Sequence, residues 1–153
     1  MNAKNEFPIV ILGPAAGSEC IFTLDGRKYL VDGERRAFPV YALSGAAEAF
    51  DNCKVRELVN GCLGGPIGTI QQPYWDSRRL ALCGTLAVHS PLWLAEFERR
   101  PLSNFRLQID GEFARKEFVP LGGRPGHFAL MGGIEAVHGL YLVDVTAAGG
   151  YFL

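Results

Sequence analysis

The chain reads as a single compact α+β domain, with a mostly antiparallel or mixed β-sheet and two short helices. Three observations carry that reading. Short β-favouring runs recur along most of the sequence, punctuated by glycine, proline and Asp-Gly turn signals. Helical periodicity is confined to a few short stretches. The 153 residues are 48% hydrophobic and 20% charged, with a mean hydropathy of +0.11, which suits one domain over 1–153 with a sizeable core.

The first strand, over 8–12, leads into a glycine loop in the stretch FPIVILGPAAGSEC. A phosphate-binding loop would need a lysine after its last glycine and a helix behind it. Here Glu19 follows Ser18, and a carboxylate there repels a phosphate. The next residues, 20–24 and 27–31, are two β-favouring runs joined by Asp25-Gly26, a pair suited to the positive φ angles of a type I′ hairpin turn. The loop is therefore expected to be a turn, made by Pro14 and Gly17, between antiparallel strands.

A further strand is expected over 37–42, and Ser44 is placed to cap a short helix over 45–50. Asp51 or Asn52 looks like a fresh cap, because Val55, Leu58, Val59 and Cys62 then fall at i, i+3, i+4 and i+7. This is the best helical pattern in the chain. The middle holds 67–72, a polar QQPYWDSRR loop over 71–79, and the almost wholly apolar run 80–88, as expected of a strand buried on both faces. Ser90-Pro91 then starts a helix, with serine as cap and proline in the first turn; Trp93 and Phe97 share one side and Pro101 stops it. A second Asp-Gly hairpin is predicted at Asp110-Gly111, between 105–109 and 112–119. Strands over 127–131 and 140–145 follow, with one helical turn near Glu135.

Charge excludes some function classes. The net charge is −1, so no global field recruits nucleic acid or an anionic membrane. Eleven of the 15 basic residues are arginine, three times as adjacent pairs, including Arg78-Arg79. No apolar stretch is long enough to span a membrane as a helix, and no secretory leader is visible. Cys20, Cys53, Cys62 and Cys83 lack C-x-x-C spacing, so free, buried thiols in a reducing cytoplasm, or in a particle assembled there, are expected.

Catalytic and metal constellations are sparse. A cysteine nucleophile would need a histidine within reach. His89 stands six residues from Cys83, about 20 Å along a strand, so Cys83 or Cys20 with His127 is the pairing left for a cysteine hydrolase or transferase. Glu135 and His138 have the i, i+3 spacing of helical carboxylate–histidine sites, in a single copy. Arg124 and His127 sit on a glycine-rich scaffold that suits an anion. No cofactor is expected. Tyr74, Trp75, Arg78 and Arg79 are residue types enriched at the centres of protein interfaces. The apolar Tyr151, Phe152 and Leu153 are expected to pack against their own core or a neighbouring subunit.

The resulting expectation is a non-enzymatic structural or interaction protein, a subunit or accessory component of an assembly such as a viral or phage particle. Its partners would be other protein chains, its own copies foremost. A cysteine-dependent enzyme and an inhibitor or immunity-type protein that blocks one macromolecule are the alternatives.

Overall fold

A computed structural model of the chain describes residues 4–13, 21–24, 26–31, 36–59, 61–114, 116–120, 127–144 and 149–153. Twelve strands and two α-helices lie among them, so the chain is mostly β. In order they are β1 (Glu6–Leu12), β2 (Ile21–Leu24), β3 (Arg27–Val31), β4 (Arg36–Pro39), α1 (Val40–Ser44), β5 (Lys54–Val59), β6 (Cys62–Asp76) and β7 (Ala81–Val88). Then come α2 (Pro91–Arg99), β8 (Phe105–Phe113), β9 (Lys116–Pro120), β10 (His127–Met131), β11 (Ile134–Asp144) and β12 (Tyr151–Phe152).

The larger sheet has the order β12-β1-β7-β6-β5-β11-β8, and its two ends come back together. Leu107 in β8 exchanges two backbone hydrogen bonds with Gly150, 2.9 Å one way and 2.8 Å the other. The next two residues pair with β1, Ile9 opposite Phe152 and Val10 opposite Tyr151. The sheet is thereby curled shut into a small barrel. Seven strands in a ring cannot be antiparallel at every contact, because direction must alternate and seven is odd. One parallel contact is obligatory, and it falls between β11 and β5. The remaining contacts around the ring are antiparallel.

The smaller sheet has the order β2-β3-β4-β10-β9. It shares the barrel's core: Leu30, Phe38 and Met131 join Ile9, Ile11, Leu82, Leu86, Leu107 and Leu140 in one buried cluster. The Phe38 ring lies 5.5 Å from that of Phe113 at the end of β8. Helix α2 packs beside the strands at the other end. Ser90 Oγ accepts the Trp93 backbone N–H at 3.4 Å, and Trp93 and Phe97 are buried, as their spacing predicts. Phe97 is the hub of an aromatic plug, with Phe7, Phe105 and Phe152 at 5.3–5.4 Å and Trp93 at 5.6 Å. Edge-on ring pairs of this kind add to the burial itself.

Several elements correct the sequence reading. The helix expected after Asp51 or Asn52 is strand β5 running into β6. Val59 pairs with Cys62, leaving Asn60-Gly61 between them, and Gly61 has φ +79°. Asn-Gly is the strongest short hairpin signal, and it overrides a periodicity in which Val55 alone is fully buried. Asp110-Gly111, in contrast, makes no turn. It lies inside β8, which pairs with β11 rather than with β9, at a bulge where Val137 opposes Gly111 and Gly139 opposes Asp110. A Cβ on Gly111 would press on the Ala136 carbonyl, so glycine serves close strand approach there.

The strand expected over 37–42 stops at Pro39 and gives way to α1. Ser44 ends that helix instead of starting one, and 47–50 is a 3₁₀ turn. Glu135 stands in β11, not on a helical turn. The Asp25-Gly26 hairpin is present, with Leu24 opposite Arg27. However, β1 and β2 belong to different sheets, so the opening loop does not join antiparallel partners. Its residues 14–20 lie outside the described ones, as do 121–126.

Barrel closure yields a prediction. A methyl group on Gly150 would collide with the carbonyl oxygens of Val10 and Ile11. Gly150→Ala should therefore cost on the order of 3 kcal/mol in thermal or urea unfolding. Gly65→Ala, whose new Cβ meets nothing within 4 Å, should stay within about 0.5 kcal/mol.

Candidate functional site

The residues expected to form an interface are divided by the fold: Tyr74 and Tyr151 share the outer face around Cys83, while Trp75 and Phe152 turn to the main core. Strand β6 continues to Asp76, so the polar loop begins six residues later than its composition suggests. Trp75 folds back against the core, while Tyr74, on the opposite face, is exposed. Asp76 organises the turn that follows: its Oδ1 accepts from the backbone N–H groups of Arg78 and Arg79, and its Oδ2 takes the Arg79 guanidinium at 2.8 Å. Those bonds, from Arg79 above all, hold the Asp76 carboxyl below its ordinary range. Arg78 is exposed. Both Tyr151 and Phe152 pair with β1 as β12; Phe152 joins the plug, Tyr151 lies half-buried over Cys83 on the outer face, and Leu153 donates its N–H to Pro8 O at 3.0 Å.

Of the cysteine pairing, Cys83 and His127 stand in strands of different sheets. Cys83 faces away from the main core, in a small buried group with Val10 and Ala81 beneath Tyr151. His127 opens β10 in the other sheet, which contributes to the opposite face. Burial, and next the Asp76 carboxylate, raise the Cys83 thiol. Burial pushes Cys53 up to about 11. A thiol with a raised pKa is protonated, and hence a poor nucleophile, at neutral pH. Cys62 is exposed, contrary to the expectation of buried thiols, and Cys20 lies outside the described residues. So does Arg124. His138 Nε2 lies 3.8 Å from Glu112 Oε2 across the β11–β8 pair.

What the fold does build is an arm. Strand β11 accompanies β5 only as far as Glu57, and β7 meets β6 only from Gly68. Between those limits the chain pairs with itself, Leu58 opposite Leu63 and Val59 opposite Cys62. The stretch LVNGCLGGP, 58–66, carries no charge. Val59 is 47% exposed and Leu63 48%. Arg56 anchors the base, with Nε and Nη2 donating to Gly64 O at 3.3 and 3.0 Å. Sequence reasoning missed this feature because the helical periodicity of 55–62 hid the Asn-Gly turn.

At the base of the arm a cleft of about 720 Å³ opens towards the start of α2. Pro66, Ile67, Leu92 and Trp93 supply apolar wall, and Leu92 is 70% exposed at its rim. Lys54, Arg56 and Glu57 line it too. Neither Lys54 nor Arg56 is ion-paired among the described residues. A polar chain runs along another wall. Gln71 Nε2 donates to Asn52 Oδ1 at 3.0 Å and to Thr69 Oγ1 at 2.9 Å, and Thr69 Oγ1 lies 3.1 Å from His89 Nε2. Backbone bonds from His89 and Ser90 to Ile67 O, 2.9 and 3.2 Å, fix the start of α2 against β6.

The architecture is thus that of a small closed β-barrel with a plugging helix, an appended mixed sheet and a projecting arm. Comparison with known families, with curated proteins and with solved structures gives no match to this chain. Among the described residues, no helix is long and apolar enough to cross a membrane.

Two outcomes follow from these placements. With Cys20→Ser as background, iodoacetamide at neutral pH should modify Cys62 in the folded protein and leave Cys53 and Cys83 intact, read by peptide mass spectrometry. Rapid labelling of Cys83 would restore it as a nucleophile. Because the folded-state pKa of Asp76 is lowered, its contribution to stability is present above the ordinary carboxylate pKa and is lost as pH falls through the lowered value. Asp76→Asn should therefore flatten the acid limb of the stability–pH curve while lowering stability at pH 7.

Proposed function

We propose that this protein is a non-enzymatic component of a protein assembly and that copies of it join through the β5–β6 arm. The observation that carries this reading is the arm itself: an uncharged two-stranded ribbon that leaves both neighbouring strands behind and exposes Val59 and Leu63. An isolated two-stranded hairpin is marginal in water, and its outer backbone edges template further pairing. Packing or edge pairing against another chain removes both liabilities. A second copy offers the same surface, so a two-fold contact between arms is self-complementary. Exposed Tyr74 and Arg78 lie at the other end of β6 and supply a separate surface for higher assembly, of the kind a viral or phage particle uses.

The test is absolute mass in solution, by light scattering behind a sizing column, at micromolar concentration. The intact chain should run as a dimer or larger species. The double variant Val59→Lys/Leu63→Lys should run as a monomer with an unchanged melting temperature, since both side chains project into solvent. A monomeric intact chain, or a variant that remains fully oligomeric, removes the arm as the contact between copies.

A further inference from the structure

The cleft at the base of the arm has a chemistry that the assembly reading does not use. Its volume, about 720 Å³, falls in the range of small-molecule sites, which run from roughly 300 to 1,000 Å³. Its walls divide into two parts. One is apolar, formed by Pro66, Ile67, Leu92 and Trp93, and beside them a Cβ on Gly65 would meet nothing within 4 Å. The other brings the cations of Lys54 and Arg56, without carboxylate partners among the described residues, to the same space as Thr69, His89 and the start of α2. Against these two cations stands one acidic wall residue, Glu57. Its carboxylate lies beside Gly64, where an added Cβ would come within 2.8 Å of Oε2.

We propose that this cleft binds a small apolar monocarboxylate, with its hydrocarbon part against Trp93, Pro66 and Leu92 and its carboxylate held by Lys54 and Arg56. The apolar wall supplies affinity through burial. The cations select an anionic head, because an arginine and a lysine facing one space favour a carboxylate over a neutral hydroxyl. The site is independent of the arm tip, so it stands whether or not copies associate through Val59 and Leu63.

Titration calorimetry on the intact 153-residue chain tests this, with octanoate as the probe and 1-octanol and inorganic phosphate as controls. Octanoate should bind, and each control should bind at least about tenfold more weakly. Lys54→Ala/Arg56→Ala should weaken octanoate about tenfold and leave octanol unchanged. Gly65→Phe should abolish octanoate binding by filling the cleft. A new side chain at Gly65 meets no atom within 4 Å at its Cβ, so the melting temperature should be kept. Lys54 and Arg56 are both exposed, and because Arg56→Ala also releases the Gly64 carbonyl, unchanged octanol binding and melting temperature are the check that the cleft keeps its shape. Equal binding of octanoate and octanol would overturn the carboxylate assignment. Equal binding of phosphate would overturn the apolar one. Absence of octanoate binding, or binding untouched by Gly65→Phe, would remove the site altogether.

Discussion

Two hydrogen bonds between Leu107 and Gly150, followed by the pairing of Tyr151 and Phe152 with β1, turn an open seven-stranded sheet into a ring. Without that seam, β1 and β8 would each present a row of unpaired backbone groups to solvent. The interior would also lose part of the aromatic cluster centred on Phe97, because Phe152 reaches Phe97 and Phe7 only from the closed position. The two glycines before β12 are fitted to the seam rather than to flexibility: at both Gly149 and Gly150 a side chain would enter a neighbouring backbone. Closure also dictates the mixed character of the sheet, since an odd ring must contain a parallel contact.

The arm is a consequence of the same geometry. Within the ring, β5 is bordered by β11 and β6 by β7, but β6 is 15 residues long and outruns its neighbours. Successive bulges on β6 opposite Arg56 and Leu58 let the hairpin turn away from the barrel while staying paired with itself. The bend carries its apolar tip outward and opens the cleft between its base and α2. Gly68 sits where the bend begins, against the backbone of Ala87, and no larger residue fits there. Arm, cleft and bend therefore form one structural unit.

Much of the fold was legible in the sequence where local chemistry and tertiary structure agree. Ser90-Pro91 with Trp93 and Phe97 specifies a capped helix with one buried side, and α2 is that helix. Asp25-Gly26 between apolar runs gives the β2–β3 hairpin, and the run at 80–88 becomes the central strand β7. Legibility failed where a local signal had two meanings. Val55, Leu58, Val59 and Cys62 satisfy a helical period, yet Asn60-Gly61 breaks it and the apolar residues end up on an exposed ribbon. Asp110-Gly111 looks like a turn but is a bulge, because the partner strand is distant in sequence and invisible to local reading. The same distance hid the cleft: Arg56, Thr69 and Leu92 come from three elements, and nothing in their spacing announces that they share a space. The apolar tail was expected to pack against its own core or a neighbouring subunit, and in the structure Tyr151 and Phe152 pair with β1.

The seam has a kinetic side. It joins residues near position 10 to residues near position 150, so the last contact of the ring spans almost the whole sequence. Long-range closure of that kind slows folding, because chain entropy is lost before the contact is made. During synthesis, every strand up to β11 can emerge and begin to pair while the barrel still gapes between β1 and β8. The newborn chain thus passes through a period in which two sheet edges and the Phe97 cluster are open to other chains. It ends when residues 149–152 leave the ribosome and find their groove.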